Sequence, residues 1–206
     1  MLLTILYVIG ITAEAMSGAL AAGRHKMDLF GVMFIALVTA IGGGSIRDVL
    51  FGHYPLTWVE HPHYVLLICV AAIITTRIAS VMTRLESLFL FLDSLGLVVF
   101  SVIGAEVALG MGYGFVLIVS SAVITGVFGG ILRDIFCNRI PLVFQKELYA
   151  GVAMLTASLY YVLIEYGGLE VLSATIITLF CGVALRLLAI YYKMGLPVFN
   201  YEDKEK

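Results

Sequence analysis

The stretch TAIGGGSIRDVLFGHYPL, Thr39 to Leu56, is written a second time as TGVFGGILRDIFCNRIPL, Thr125 to Leu142. At a constant offset of 86 residues, Thr39, Gly43, Gly44, Arg47, Asp48, Pro55 and Leu56 meet Thr125, Gly129, Gly130, Arg133, Asp134, Pro141 and Leu142. Seven of the eighteen positions are identical, and most of the others exchange one apolar residue for another. Each copy closes an apolar helix with a glycine cluster and an Arg-Asp pair. A hydrophobic helix needs neither for its own stability, so the repetition marks a site.

The chain around the two copies is a membrane sequence. Its 206 residues are 62% hydrophobic and only 13% charged, with a mean hydropathy of +1.08. Soluble domains carry about 25% charged residues, so a polytopic all-α membrane protein is expected. The net charge of -2 gives no basic surface for nucleic acid. Cys69, Cys137 and Cys181 lie far apart in or beside apolar runs, without CxxC or histidine at ligand spacing, and read as small packing residues. The N-terminal apolar run ends in Ala19-Leu20-Ala21, which has the shape of a signal-peptide cleavage site. No Lys or Arg precedes the run, Glu14 interrupts it, and Gly18 matches Gly104 at the repeat offset, so it is read as a transmembrane helix.

A spanning helix needs about 20 mainly apolar residues. That length divides the chain into seven: Leu2 to Ala22, Leu29 to Phe51, Tyr64 to Met82, Leu88 to Leu109, Phe115 to Phe136, Leu148 to Glu165, and Val171 to Tyr192. The offset pairs helices one to three with four to six. Because each unit has an odd number of helices, the second copy enters the membrane upside down. The expected organisation is thus two inverted three-helix repeats, residues 1–83 and 84–166, followed by a seventh helix packing outside the six, 167–194, and a cytoplasmic tail, 195–206. With the N-terminus outside, Arg24, Lys26, Arg77, Arg84, Arg133, Arg139, Lys146, Arg186, Lys193, Lys204 and Lys206 all fall at or towards the cytoplasm. Only Arg47, in the repeated motif, resists this bias.

Consecutive glycines cost a helix roughly 1 kcal/mol each relative to alanine. Gly42, Gly43 and Gly44, mirrored by Gly126, Gly129 and Gly130, therefore predict a break whose loosened carbonyls suit a partly dehydrated cation. Close helix packing through small residues is the other reading, and the two are compatible. Thr39, Ser45 and Thr125 place hydroxyls beside the breaks; they line a hydrated path or bond back to their own helices. Arg47-Asp48 and Arg133-Asp134 are read as charge networks at the two ends of a pathway, since a guanidinium that cannot deprotonate serves as latch or gate, not proton relay. Glu14, Asp93 and Glu106 lie in helices one and four, where ionisable side chains are functional by default. They are candidate cation-facing carboxylates, or structural partners of Arg47, Arg77 or Arg133. His53, His61, His63 and Glu60 cluster in one loop, but with Tyr54, Trp58 and Tyr64 beside them they read as an interfacial belt and not a metal site. No nucleophile-base arrangement or Walker loop is visible, so neither an enzyme nor a cofactor is expected.

These two three-helix units, each with GG-x-x-R-D, together with a seventh helix, resemble the prokaryotic trimeric intracellular cation channels and the overlapping bacterial family whose repeated unit is called a glycine-transporter domain. The resemblance spans nearly the whole chain. It implies a homotrimer in a bacterial or archaeal plasma membrane, with lipid around it and a pore in each subunit. Kinked helices two and five would line that pore and pass monovalent cations, chiefly potassium. In the second copy Phe128 stands where the first has Gly42, which predicts a milder break. A secondary transporter of glycine or another small solute, working by alternating access, is the alternative function, because inverted repeats with broken helices serve it equally well.

Overall fold

A computed structural model describes residues 2–79, 85–145 and 148–195. Among these residues the structure is entirely helical: α1 (Leu2–Arg24), α2 (Leu29–Phe51), α3 (Thr57–Glu60), α4 (His63–Ala79), α5 (Leu85–Gly110), α6 (Phe115–Phe136), α7 (Tyr149–Glu165) and α8 (Val171–Tyr191), with a 3-10 turn at Leu142–Phe144. α1, α2, α5, α6 and α8 are long and apolar enough to cross a membrane, while α4 and α7 are apolar helices of 17 residues. The outer faces carry side chains such as Phe30, Leu66, Val116 and Phe180, all strongly exposed, as a surface solvated by lipid requires. Met82, Arg84, Lys146, Lys204 and Lys206, used above to place a helix end and the orientation, lie outside the described residues.

The repeated stretches end their helices in the same way. Asp28 caps the start of α2 by accepting from Gly31 N at 2.8 Å. At the other end Gly52 takes the left-handed conformation (φ 70°), and Asn138, its counterpart after α6, does the same (φ 51°). His53 N then donates to Asp48 O at 2.9 Å and Arg139 N to Asp134 O at 2.8 Å. Both chains are turned sharply back, which holds each Arg-Asp pair at a helix end.

Small residues set the helix crossings, and each crossing recurs at the offset of 86. A methyl group on Gly18 would stand 2.9 Å from Ala36 Cα, packing α1 on α2; one on Gly104 would stand 2.8 Å from Ala122 Cα, packing α5 on α6. At the centre, a methyl group on Gly43 would collide with the Thr125 carbonyl oxygen, and one on Gly129 with that of Thr39. α2 and α6 therefore touch backbone to backbone, as only glycine permits.

Here the structure departs from the expected glycine break. α2 and α6 stay helical through Gly42–Gly44 and Gly126–Gly130. The conformational cost of glycine is offset by close packing, so the helices cross without interrupting. The last helix, α8, packs against α5 and α7, with Gly182 against Val98 and Thr156, and it buries Arg186 completely.

Candidate functional site

Two buried charge networks flank the α2–α6 crossing. At one end Arg47 folds back along its own helix, over the space left by Gly44, whose absent methyl would stand 3.9 Å from Arg47 Nη2. Its Nε and Nη2 donate to Asp48 Oδ1 at 2.9 and 2.6 Å. Nη1 reaches across to Thr125 Oγ1 at 3.4 Å, and His53 Nδ1 lies 3.0 Å from the same Asp48 oxygen. Arg47 and Asp48 are buried, whereas the His53 side chain is 39% exposed.

The other end is built on the same plan with more acid. Gly130 leaves room beside Arg133 Nη2, 3.6 Å from where its methyl would be. Arg133 Nε donates to Asp134 Oδ1 at 2.9 Å, and Nη1 donates to Asp93 Oδ1 at 2.5 Å and to Ser17 Oγ at 2.9 Å. The guanidinium lies 4.7 Å from the centre of the Phe89 ring. Tyr149 donates its hydroxyl to Asp93 Oδ1 at 3.2 Å, and Arg186 stacks over the Tyr149 ring at 4.6 Å. Asp134 Oδ2 accepts from Leu142 N at 3.0 Å, tying the network to the turn that follows α6. A cleft of about 210 Å³ opens here, lined in part by Arg24, Glu86, Asp134, Arg139 and Gln145. Charged groups so deeply buried persist only when paired in this way.

The other sequence candidates fall as follows. Glu14 is buried on α1 against Gly96 of α5, in the neighbourhood of Asp93, Arg133 and Asp134. Glu106 stands apart from both arginines and accepts from the Tyr160 hydroxyl. Thr39 and Thr125 are buried and donate back to Ile35 O (2.6 Å) and Ser121 O (2.7 Å), while Ser45 donates to Ile41 O (2.7 Å) and accepts from Trp58 Nε1 (3.1 Å). Gly42 faces Leu132, and Gly126 faces Ser101 and the Leu97 carbonyl. Among the described residues no cluster of three or more His, Cys, Asp or Glu is placed to hold a metal ion.

Ser17, Tyr149 and Arg186 belong to the Arg133 network but were not singled out in the sequence. Arg186 carried a usable signal, because it sits inside an apolar helix, where ionisable side chains are rarely incidental. Ser17 and Tyr149 carried none.

An all-helical membrane protein with a buried Arg-Asp pair at each end of a glycine crossing is the class that fold and site define. The family model described as "Glycine transporter" matches residues 4–80 and again 90–165, and the chain belongs to that family. It is 33% identical to the UPF0126 inner membrane protein YadS of Escherichia coli K12, over 98% of this chain and 99% of that one. A UPF0126 membrane protein of Vibrio cholerae is 37% identical over 96% of this chain and 83% of its own length. The solved TRIC trimeric intracellular cation channel orthologue from Rhodobacter sphaeroides superposes with a TM-score of 0.89 at 33% identity, covering 94% of this chain and 99% of that chain. The family and its structural neighbours are membrane proteins and ion channels, not enzymes.

Proposed function

We propose that this protein is a channel for monovalent cations, potassium among them, working as a homotrimer with a path in each subunit. In this reading α1, α2, α4, α5, α6, α7 and α8 are seven spans. The first six form two inverted repeats, 1–83 and 84–166, ahead of the seventh span and the tail. The N-terminus is outside and the C-terminus cytoplasmic, in the plasma membrane of a bacterium or archaeon. The path follows the seam of α2 and α6, past Thr39, Gly42, Gly43, Gly44 and Ser45 on one side and Thr125, Gly126, Gly129 and Gly130 on the other. Arg47-Asp48 and Arg133-Asp134 latch its two ends, and the acidic groups Glu14, Asp93 and Glu106 keep its surroundings favourable to cations.

The observation that carries this reading is the reciprocal α2–α6 contact, Gly43 on the Thr125 carbonyl and Gly129 on the Thr39 carbonyl, set between two buried guanidinium groups. Glycine crossings of this kind let helices slide or tilt with little side-chain obstruction, while Arg133 can exchange one carboxylate for another. The similarity to the Rhodobacter channel supports it. A carrier for glycine would present positive half-helix N-termini to the substrate carboxylate. The uninterrupted α2 and α6 supply none at the crossing, which favours the channel.

The test is cation flux from potassium-loaded proteoliposomes, run beside uptake of labelled glycine. Rapid, non-saturating potassium efflux with no glycine uptake is expected. Saturable glycine uptake without potassium efflux would replace the channel by a carrier.

A further inference from the structure

Phe89 stands where the duplicated plan breaks down. Its counterpart at the offset of 86 is Leu3, which is exposed on α1, whereas Phe89 is buried near the start of α5. Two guanidinium groups are set on its ring, Arg133 at 4.7 Å from the centroid and Arg24 at 4.8 Å. The counterpart of Arg24 is Gly110, so the other half has neither the ring nor the second cation. An exposed leucine in one half is, in the other, a buried ring shared by two arginines.

Those arginines lie in different surroundings. Arg24 is exposed and lines the cleft, together with Phe89, Asp134 and Arg139. Arg133 is fully buried, and neither it nor its partners Asp93 and Ser17 line the cleft. Phe89 therefore belongs to both places: it forms part of the cleft wall, and it covers the guanidinium behind that wall. Arg133 is fixed through Nε and Nη1 by Asp134, Asp93 and Ser17, so it keeps its place without the ring. Arg24 has no ion-pair partner among the described residues, and the ring is the group it contacts. An aromatic face attracts a cation within about 6 Å of its centroid, and here two cations compete for one face-bearing side chain.

We propose that Phe89 is a two-position gate at the Arg133 end of the path, an assignment that rests on the channel reading. With the ring on Arg133, the cleft is closed off from the Asp93–Arg133–Ser17 network. Turning about its χ1 bond moves the ring into the cleft, where a volume of about 210 Å³ receives it and Arg24 still contacts it. The network is then open to water and cations entering through the cleft. Staggered rotamers make this a switch between two positions and not a continuous drift. Arg133 holds the gate shut and Arg24 holds it open, so the two arginines act in opposite senses on one side chain.

Ser17, behind the ring, reports the position of the gate. The experiment uses the full-length protein in lipid nanodiscs, with Cys69, Cys137 and Cys181 replaced by alanine and Ser17→Cys introduced. The rate at which methyl methanethiosulfonate, a small neutral thiol reagent, modifies the new thiol is followed by mass spectrometry. Phe89→Ala should raise that rate about tenfold, the scale set by one or two cation–π contacts. Phe89→Leu, which keeps an apolar side chain in place without a π face, should raise it less and serves if Phe89→Ala does not fold. Arg24→Gln should lower it, because the ring then has only Arg133 to rest on. Leu3→Ala, at the counterpart position, should leave it unchanged. Unchanged rates in the folded Phe89 variants, or an unchanged or faster rate in Arg24→Gln, would overturn the gate. So would an equal acceleration at Ser101→Cys, which is buried deeper on α5 and would report a loosened bundle. Accessibility is read without flux: potassium efflux missing from both wild type and Phe89→Ala overturns the channel reading, while the modification rates decide the gate.

Discussion

The Arg47 and Arg133 ends carry the same GG-x-x-R-D motif and the same helix-ending turn, yet their surroundings differ. Arg47 is held by one carboxylate and a threonine, with the half-exposed ring of His53 completing the set. Arg133 is held by two carboxylates, a serine and an aromatic face, with no exposed member in direct contact. Three exchanges at the offset of 86 produce the difference: Tyr7 for Asp93, Phe100 for Glu14 in the opposite direction along the pair, and His53 for Arg139, which lines the cleft. The duplicated motif thus sets where the guanidinium stands, and the unduplicated positions set its electrostatics. On the proposed channel reading, the two ends of the path can then respond to different conditions.

Replacing each arginine in turn should break the comparison most visibly. Arg133→Gln leaves Asp93 and Asp134 facing one another in the core, and loss of one member of a buried pair costs about 3–5 kcal/mol. Arg47→Gln strands only Asp48, which keeps His53, so a clearly smaller loss is expected in denaturant unfolding of the detergent-solubilised protein. Equal losses would mean that the extra acid at the Arg133 end is balanced elsewhere.

The crossing itself should behave symmetrically. Gly43→Ala and Gly129→Ala each push a methyl group into a backbone carbonyl that cannot rotate away. Each should destabilise the protein by roughly 1–3 kcal/mol, and by similar amounts. A large inequality in their unfolding midpoints would show that the two contacts are not equivalent.

Smaller effects sharpen the contrast further. Tyr149→Phe removes the hydroxyl donated to Asp93 and should cost about 1 kcal/mol. His63→Phe, at the counterpart position, touches neither arginine network and should leave stability nearly unchanged in the same assay. His53→Gln is expected to shift stability only slightly, within about 0.5 kcal/mol, because the partly exposed ring loses a screened contact.

Much of the architecture is legible in the sequence. The bounds read for the second and fifth helices, Leu29 to Phe51 and Phe115 to Phe136, are those of α2 and α6. Asp28, Gly52 and Gly114 punctuate them, and apolar runs between such residues have few alternative limits. The helix partners were much less legible. In a soluble helix the apolar stripe fixes which face turns inward, but in lipid both faces are apolar, so rotation is set by glycine notches and buried charges. Asp93 and Arg133 are 40 residues apart, and nothing periodic joins them. The glycine cluster illustrates the same limit from the other side. Its conformational cost is visible in the sequence, whereas the neighbouring carbonyl that offsets it becomes visible only in three dimensions.

The most direct measurement is single-channel recording of the purified protein in a planar bilayer with asymmetric potassium chloride, before and after glycine is added. Unitary current steps that reverse close to the potassium equilibrium potential and ignore glycine are predicted. Folded protein that gives no steps across the accessible voltage range, or steps that reverse at the chloride potential, would contradict a cation path along the α2–α6 seam.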